Sequence, residues 1–502
     1  MQFEIFLLNC KNEITKFAKK EYTKIHLIFE MTKKKAEIYE LEISAIGFEG
    51  VAIARMDNIV VFVKNAVPGD FVEVMITRKK KSFWEAKLLR VIKPSPDRVM
   101  PDCQYFVDCG GCSWQNLHYD NQLIWKTQHV KDAMQRIGKL DVDDIKDILP
   151  SPKSFRYRNK MEFSFSTNRW LSIEEIQSEV EFENKNFALG LHAPGRFDKV
   201  LDIDYCLIQP EEGDKIINIT RKLAIQNGIS AYNAREFDGF LRTLMLRYSV
   251  ADNNIMIVLT SKAPKTDAES IFAQELSNTI NSEVNNIAGF IWAINDTRSP
   301  VGAQSYELLY GKDYITEDVL GVKFKISPTS FFQTNSFQLE HFIKEIIDAA
   351  QLTENDILWD LYCGAGSITL PAAKICKQVI GAELVESSVL DARANAQRNG
   401  IVNATFLQSD LHNKHIPETL LELPKPDVVI FDPPRAGMHS NLIEHILEIK
   451  PPRIVYASCN PATQARDLAF FEPFYNINYI QPVDMFPHTF HVETVAQLRL
   501  KE

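Results

Sequence analysis

The chain has 502 residues, 45% of them apolar and 24% charged, with modest glycine and proline counts of 20 and 23. At ~100–200 residues per domain this length predicts about three domains, each able to bury a core, and excludes a disordered chain or a fibre. No stretch approaches the ~18 uninterrupted apolar residues of a membrane span. A formal net charge of −10 gives no overall pull toward nucleic acid, although a local basic face could still act within ~8–10 Å.

The eight cysteines are too sparse for a disulfide scaffold, and no secretory pattern precedes them, so a reducing cytoplasm without membrane contact is expected. Residues 1–30 hold short apolar bursts and many lysines, and Met31 opens a second plausible start at MTKKK. Residues 1–37 are therefore read as an N-terminal extension outside the fold. Residues 38–96 contain the β-like runs YELEISAIG, GVAIAR, NIVVFVKN, DFVEVMITRKKK and FWEAKLLRVI, separated by Gly, Asp-Asn and Pro-Gly-Asp turns, which predicts a small β-barrel. Arg78, Lys79, Lys80 and Lys81 beside Phe83 and Trp84 give it the mix of charge and rings that suits RNA, the plain alternative being a solvated hairpin tip. Pro94, Pro96 and Pro101 then mark a linker.

Residues 97–325 read as an α+β domain, with strands such as KMEFSFS and NIMIVLT among helical stretches such as EEGDKIINITRKLAIQ. The stretch KSFRYRNK sets Lys153, Arg156, Arg158 and Lys160 around Phe155 and Tyr157, which suits either a backbone-tracking surface or a salt-bridged edge strand. Cys103-x5-Cys109-x2-Cys112 has metal or cluster spacing, Gly110 and Gly111 free the backbone to wrap the ligands, and Cys206 is the nearest further thiol, 94 residues on. Four thiolates suit zinc or a [4Fe–4S] cluster, and spacing alone does not choose. A single C-x2-C knuckle rather than two favours iron and sulfur.

From 326 to 502 the β and α patterns alternate as βαβ units, predicting a doubly wound, Rossmann-like α/β sheet. The run Ile357–Tyr362 breaks at Cys363-Gly364-Ala365-Gly366, whose glycines allow a ligand to touch the backbone. The next strand ends in Glu383, 19 residues past Gly364, where a carboxylate can accept both hydroxyls of a ribose. With no third glycine, and with Asp432-Pro433-Pro434 closing a later strand, the pattern suits S-adenosylmethionine rather than NAD. One strand further on, Ser458-Cys459-Asn460-Pro461 puts Cys459 at the same sheet edge and just before a helix, where the dipole should favour its thiolate. Arg435 stands where enzymes that methylate an amino group place an aromatic residue. A pyrimidine C5 carbon becomes nucleophilic once a thiolate adds at C6, and a base must later remove the C5 proton. Glu493, 34 residues beyond Cys459, is the candidate base.

On SFFQTN (330–335), DLYCGAGSITLPAA (360–373), DPPRAG (432–437), SCNPAT (458–463) and HVETVAQL (491–498), residues 38–500 resemble the RNA uracil-C5-methyltransferase family. The resemblance implies a TRAM domain for the barrel, a class I methyltransferase domain at the C-terminus, and the cluster of the family's iron–sulfur branch held by Cys103, Cys109, Cys112 and Cys206. It also implies Gln333, Tyr362, Glu383 and Asp432, with the Gly364 and Gly366 turn, as contacts to S-adenosylmethionine. Cys459 would be the nucleophile and Glu493 the proton acceptor of a monomeric enzyme acting on 23S ribosomal RNA. A tRNA T-loop uridine, an RNA cytosine-C5 target and a non-catalytic RNA-binding or redox-sensing protein are the alternatives. Two departures stand out: the N-terminal thirty residues, and an acidic insert at 171–187.

Overall fold

The computed structural model describes residues 37–142, 144–171, 175–176, 185–299, 302–413 and 418–502. The expected extension, apart from Glu37, and most of the insert at 171–187 lie outside the described residues. Two compact units result, one of residues 51–98 with the segment up to Gly47, the other of residues 99–502 with Phe48–Gly50.

In the first unit the alternating runs form β1 (Ile38–Ile46), β2 (Ala52–Met56), β3 (Ile59–Val63), β4 (Phe71–Lys79) and β5 (Phe83–Lys93), closed into a barrel in the order β1-β2-β3-β5-β4. Every second residue points inward, and Leu41, Ile43, Ala54, Val61, Val63, Val72 and Val74 fill the interior. Asp70 is fully buried; it accepts the Val67 and Ser95 amides and a fork from Arg98, which satisfies the charge the barrel encloses. On the β4–β5 hairpin Lys79 lies 4.1 Å over the Trp84 ring and Lys80 lies 4.8 Å over Phe83.

The second unit contains two large sheets and a two-stranded one. The central one has eight strands: β6 (Lys160–Ser166), β7 (Arg169–Trp170), β8 (Ala188–His192), β9 (Val200–Asp202), β10 (Leu241–Ser249), β11 (Asn254–Ser261), β12 (Ile287–Ile294) and β13 (Ser305–Gly311), in the order β13-β12-β11-β10-β6-β8-β9-β7. Helices α1 (Tyr119–Ala133), α2 (Glu211–Gln226) and α3 (Asp267–Glu283) belong to the same stretch of chain, and Ile216, Ile217, Phe272 and Leu276 on the latter two pack on the sheet. A hairpin, β14 (Ile315–Val319) with β15 (Val322–Ile326), follows, and then α4 (Ser336–Ala350) capped by Asn335.

The C-terminal sheet comprises β16 (Ile357–Leu361), β17 (Gln378–Glu383), β18 (Ala404–Gln408), β19 (Val428–Phe431), β20 (Arg453–Ser458), β21 (Tyr475–Val483) and β22 (Glu493–Leu500). Its order is β18-β17-β16-β19-β20-β22-β21; β16 to β20 are parallel and β22 runs against its neighbours. Its parallel strands are apolar runs because helices cover both faces, among them α5 (Thr369–Ala373), α6 (Glu386–Arg398), α7 (Ser440–Ile449) and α8 (Pro461–Phe471). The strand order reverses between β16 and β19, which opens a crevice at their carboxyl ends. Helix α1 packs against this layer: Val130 and Ala133 share a core with Ala465, Leu468 and Ile480. Among the described residues no helix is long and apolar enough to cross a membrane.

Candidate active site

At the crevice, the first strand ends in a turn built for close approach. Tyr362 takes φ 72°, Gly364 φ 54° and Gly366 φ 87°, and a Cβ on Gly364 would meet no atom within 4 Å, so the backbone there faces open space. Glu383 ends β17 and accepts the Gly364 amide at 3.1 Å and the Val385 amide at 2.8 Å. Each carboxylate oxygen keeps a lone pair beyond those bonds. The Tyr362 hydroxyl, Asp360 Oδ1 and His412 Nε2 are buried with no hydrogen-bond partner, and the Tyr362 and His412 rings stand 5.5 Å apart. Orphaned donors and acceptors around an open glycine turn fit a polar ligand such as S-adenosylmethionine. His412 carries no motif signature; its only sequence signal is its place just past β18, at the same sheet edge.

Asp432 follows β19, the strand next to β16, and burial pushes its carboxyl up to about 6. The loop after it is held from α8: Asn460 Nδ2 and Thr463 Oγ1 donate to the Arg435 carbonyl at 3.0 and 3.2 Å, and Asp467 accepts the Met438 amide at 2.9 Å. Helix α8 starts cleanly, with Asn460 as the cap accepting the Ala462 amide and Pro461 in the first turn. Cys459 lies between β20 and that cap.

The register of the last strand brings in Glu493. Thr494 pairs with Ser458, so Glu493, one residue earlier on the antiparallel β22, falls beside Cys459 at the carboxyl edge. Glu493 is 4% exposed; burial first, then the Asp432 charge, raises its carboxyl to about 8, while Arg435 opposes the shift. Cys459 departs from the helix-dipole expectation. Burial, followed by the Glu493 and Asp432 charges, pushes its thiol up to about 12, and these outweigh the cation of Arg435. Arg435 Nη2 lies 3.4 Å from His491 Nε2, and burial holds that imidazole down at about 4.

A cavity of about 520 Å³ adjoins these groups, lined by Cys103, Cys109, Cys112 and Cys206 together with Arg158, Lys160, Gln333, Arg435, Phe490 and His491. Gln333 thus stands with the cysteine set, and its carbonyl accepts from Asn159 at 2.9 Å. The four thiols are partly buried; burial raises each, to about 12 for Cys109 and Cys206 and about 11 for Cys112. The Gly111 amide donates to Cys109 Sγ at 3.3 Å. Among the described residues no group of three or more His, Cys, Asp or Glu side chains is drawn in tightly enough to hold a metal ion. Even so, an all-sulfur donor set around one cavity has the chemistry of a thiolate-ligated centre.

A seven-stranded sheet of this order, with a glycine turn after its first strand, an acid closing the next and a carboxylate closing the one across the switch point, defines a Rossmann-like methyltransferase. The family described as tRNA (Uracil-5-)-methyltransferase matches residues 271–501, and the TRAM domain matches residues 33–89. An uncharacterized RNA methyltransferase of Bacteroides thetaiotaomicron is 40% identical over 454 residues, 90% of this chain and 99% of that protein. One from Chlorobaculum tepidum is 40% identical over 93% of this chain and 97% of its own. The solved Pyrococcus abyssi tRNA (uracil-54, C5)-methyltransferase in complex with S-adenosyl-L-homocysteine superposes with a TM-score of 0.70 at 27% identity, covering 92% of this chain and 100% of that one. The chain belongs to the RNA uracil-5-methyltransferase family and carries a TRAM domain; it is an S-adenosylmethionine-dependent RNA methyltransferase.

Proposed function

We propose that the protein methylates C5 of one uridine in RNA through a covalent bond between Cys459 and C6. The observation that carries this reading is the strand register that sets Cys459 and Glu493 side by side at the edge where Asp432 and the glycine turn also lie. The Cys459 thiol gives its proton to solvent, Sγ bonds to C6, the C5–C6 double bond opens, and its electron pair delocalises over C5 and the O4 carbonyl. S-adenosylmethionine, when bound, supplies the methyl group as an electrophile to C5. Glu493 then takes the C5 proton, the double bond re-forms, and the sulfur leaves C6. Gln333, Tyr362, Gly364, Gly366, Glu383 and Asp432 would hold the donor. Extruding the base costs a few kcal/mol, which contacts to the RNA must offset.

Cys103, Cys109, Cys112 and Cys206 would hold a [4Fe–4S] cluster that supports the cavity wall; methyl transfer itself moves no net electrons. A target in 23S ribosomal RNA, reached by a monomer, is favoured by the combination of barrel and cysteine set. The Pyrococcus abyssi neighbour, a tRNA uracil-54 enzyme, favours a tRNA loop as the second reading. Cys459→Ala should abolish methyl transfer to cellular RNA while S-adenosylmethionine still binds, and retained turnover would refute the nucleophile. Mapping 5-methyluridine in RNA from a strain lacking the protein separates the two targets.

A further inference from the structure

We propose that the surface formed by loops 193–199, 232–239 and 295–299 of the central sheet holds the single-stranded RNA that flanks the target uridine. This rests on the reading of the chain as an RNA uridine methyltransferase. The surface begins at the cysteine cavity: a Cβ on Gly110 would lie 3.2 Å from the His192 carbonyl and 3.8 Å from Pro194, so the cysteine loop and the 193–199 loop touch. Phe197 is 72% exposed, an unusual place for a ring with no apolar cover. Next to it Arg196 and Arg235 share one carboxylate, Asp198, at 3.2 and 2.5 Å, which leaves one cation without a counter-charge in that triad.

The contact through Arg235 leads to the second loop, where Phe237 is held outward. It takes φ 58°, a conformation that costs a bulky residue energy, and its amide donates to the Asn233 carbonyl at 2.8 Å. The Arg298 guanidinium lies 4.4 Å over its ring. Buried Arg242 fixes the third loop by donating to the carbonyls of Asn295, Thr297 and Ser299 at 2.5, 2.7 and 2.8 Å, and it lies 4.7 Å over the Tyr232 ring. Lys199 adds charge to the first loop, Lys262 donates to the Phe237 carbonyl at 3.1 Å, and Lys265 pairs with Asp238 at 3.4 Å. Exposed rings flanked by guanidiniums accept unstacked bases and their phosphates, which a duplex does not offer.

The test uses the full-length protein, a short fluorescein-labelled unstructured oligoribonucleotide containing uridine, and anisotropy over a salt series. Phe197→Ala and Phe237→Gly, the latter suited to the positive φ, should each weaken binding about 5- to 100-fold, and Phe197→Trp should restore it. Arg298→Ala should lower the salt slope by about 0.7. S-adenosylmethionine binding and the rate at saturating RNA should stay at wild-type values. Wild-type affinity and slope in all variants, or a duplex that competes as well as the single strand, would overturn the inference while leaving the methyltransferase reading intact. A wild-type protein that neither binds nor methylates RNA would overturn both.

Discussion

Cys459 and Glu493 illustrate how a residue's chemistry depends on partners distant in the chain. A cysteine ahead of a helix should have a lowered pKa if the helix were all that mattered. Instead burial and two carboxylates raise it to about 12 and leave the thiol protonated near neutrality. Glu493, at about 8, is also largely protonated there, and it must be ionised to accept the C5 proton. Release of methylated RNA in a single turnover should therefore climb as pH rises through 8, and because the Cys459 thiol must also ionise before it adds to C6, the overall rate should go on rising above that pH. Glu493→Gln removes one of the charges that raises Cys459, so alkylation of Cys459 by iodoacetamide, followed by peptide mass spectrometry, should move to lower pH than in the wild type. The same variant should stall as a covalent RNA adduct visible on denaturing gels. An unmoved alkylation profile would mean that the two side chains are not electrostatically linked.

At the scale of elements, what was legible were the pieces whose signal is local. The barrel strands announce themselves by alternation, and β16, β19 and β20 by apolar runs ending in a glycine turn, Asp432 and Cys459. Helix α1 gave no such signal, because its buried face mixes the polar Gln122, Lys126 and His129 with the apolar Val130 and Ala133. The order of the central sheet was equally hidden, since β6 pairs with β10 across most of the domain. The inward face of α1 fixes the loop between β21 and β22. Lys126 and Asp484 are both fully buried and bond at 2.6 Å, the Tyr119 hydroxyl donates to Asp484 at 2.8 Å, and Gln122 accepts the His488 amide at 2.9 Å. That loop leads directly into His491 and Glu493. Lys126→Met should destabilise the protein by about 3–5 kcal/mol, because it strands the Asp484 charge in the interior. Adding Asp484→Leu should recover most of the loss in chemical denaturation, and a double variant no more stable than the single one would deny the pair its structural role.

Across the whole molecule, the cysteine set joins parts of the chain that the catalytic sheet does not. Cys112 and Cys206 are 94 residues apart, and with Cys103 and Cys109 they border the same cavity as Arg435 and His491. The raised values of Cys109 and Cys206 reflect burial first and then repulsion from the neighbouring sulfurs, a repulsion that bound cationic iron would reverse. A bound cluster would close a long loop and hold the cavity wall, while the glycine turn and Glu383 rest on their own core around β16 and β17. Cys206→Ser, purified anaerobically, should therefore lose iron and the brown iron–sulfur absorbance and bind RNA more weakly. It should still bind S-adenosylmethionine as the wild type does. Metal analysis finding stoichiometric zinc and no iron in the wild-type protein would reject the cluster, and a Cys206→Ser protein with full iron content would remove Cys206 from the ligand set.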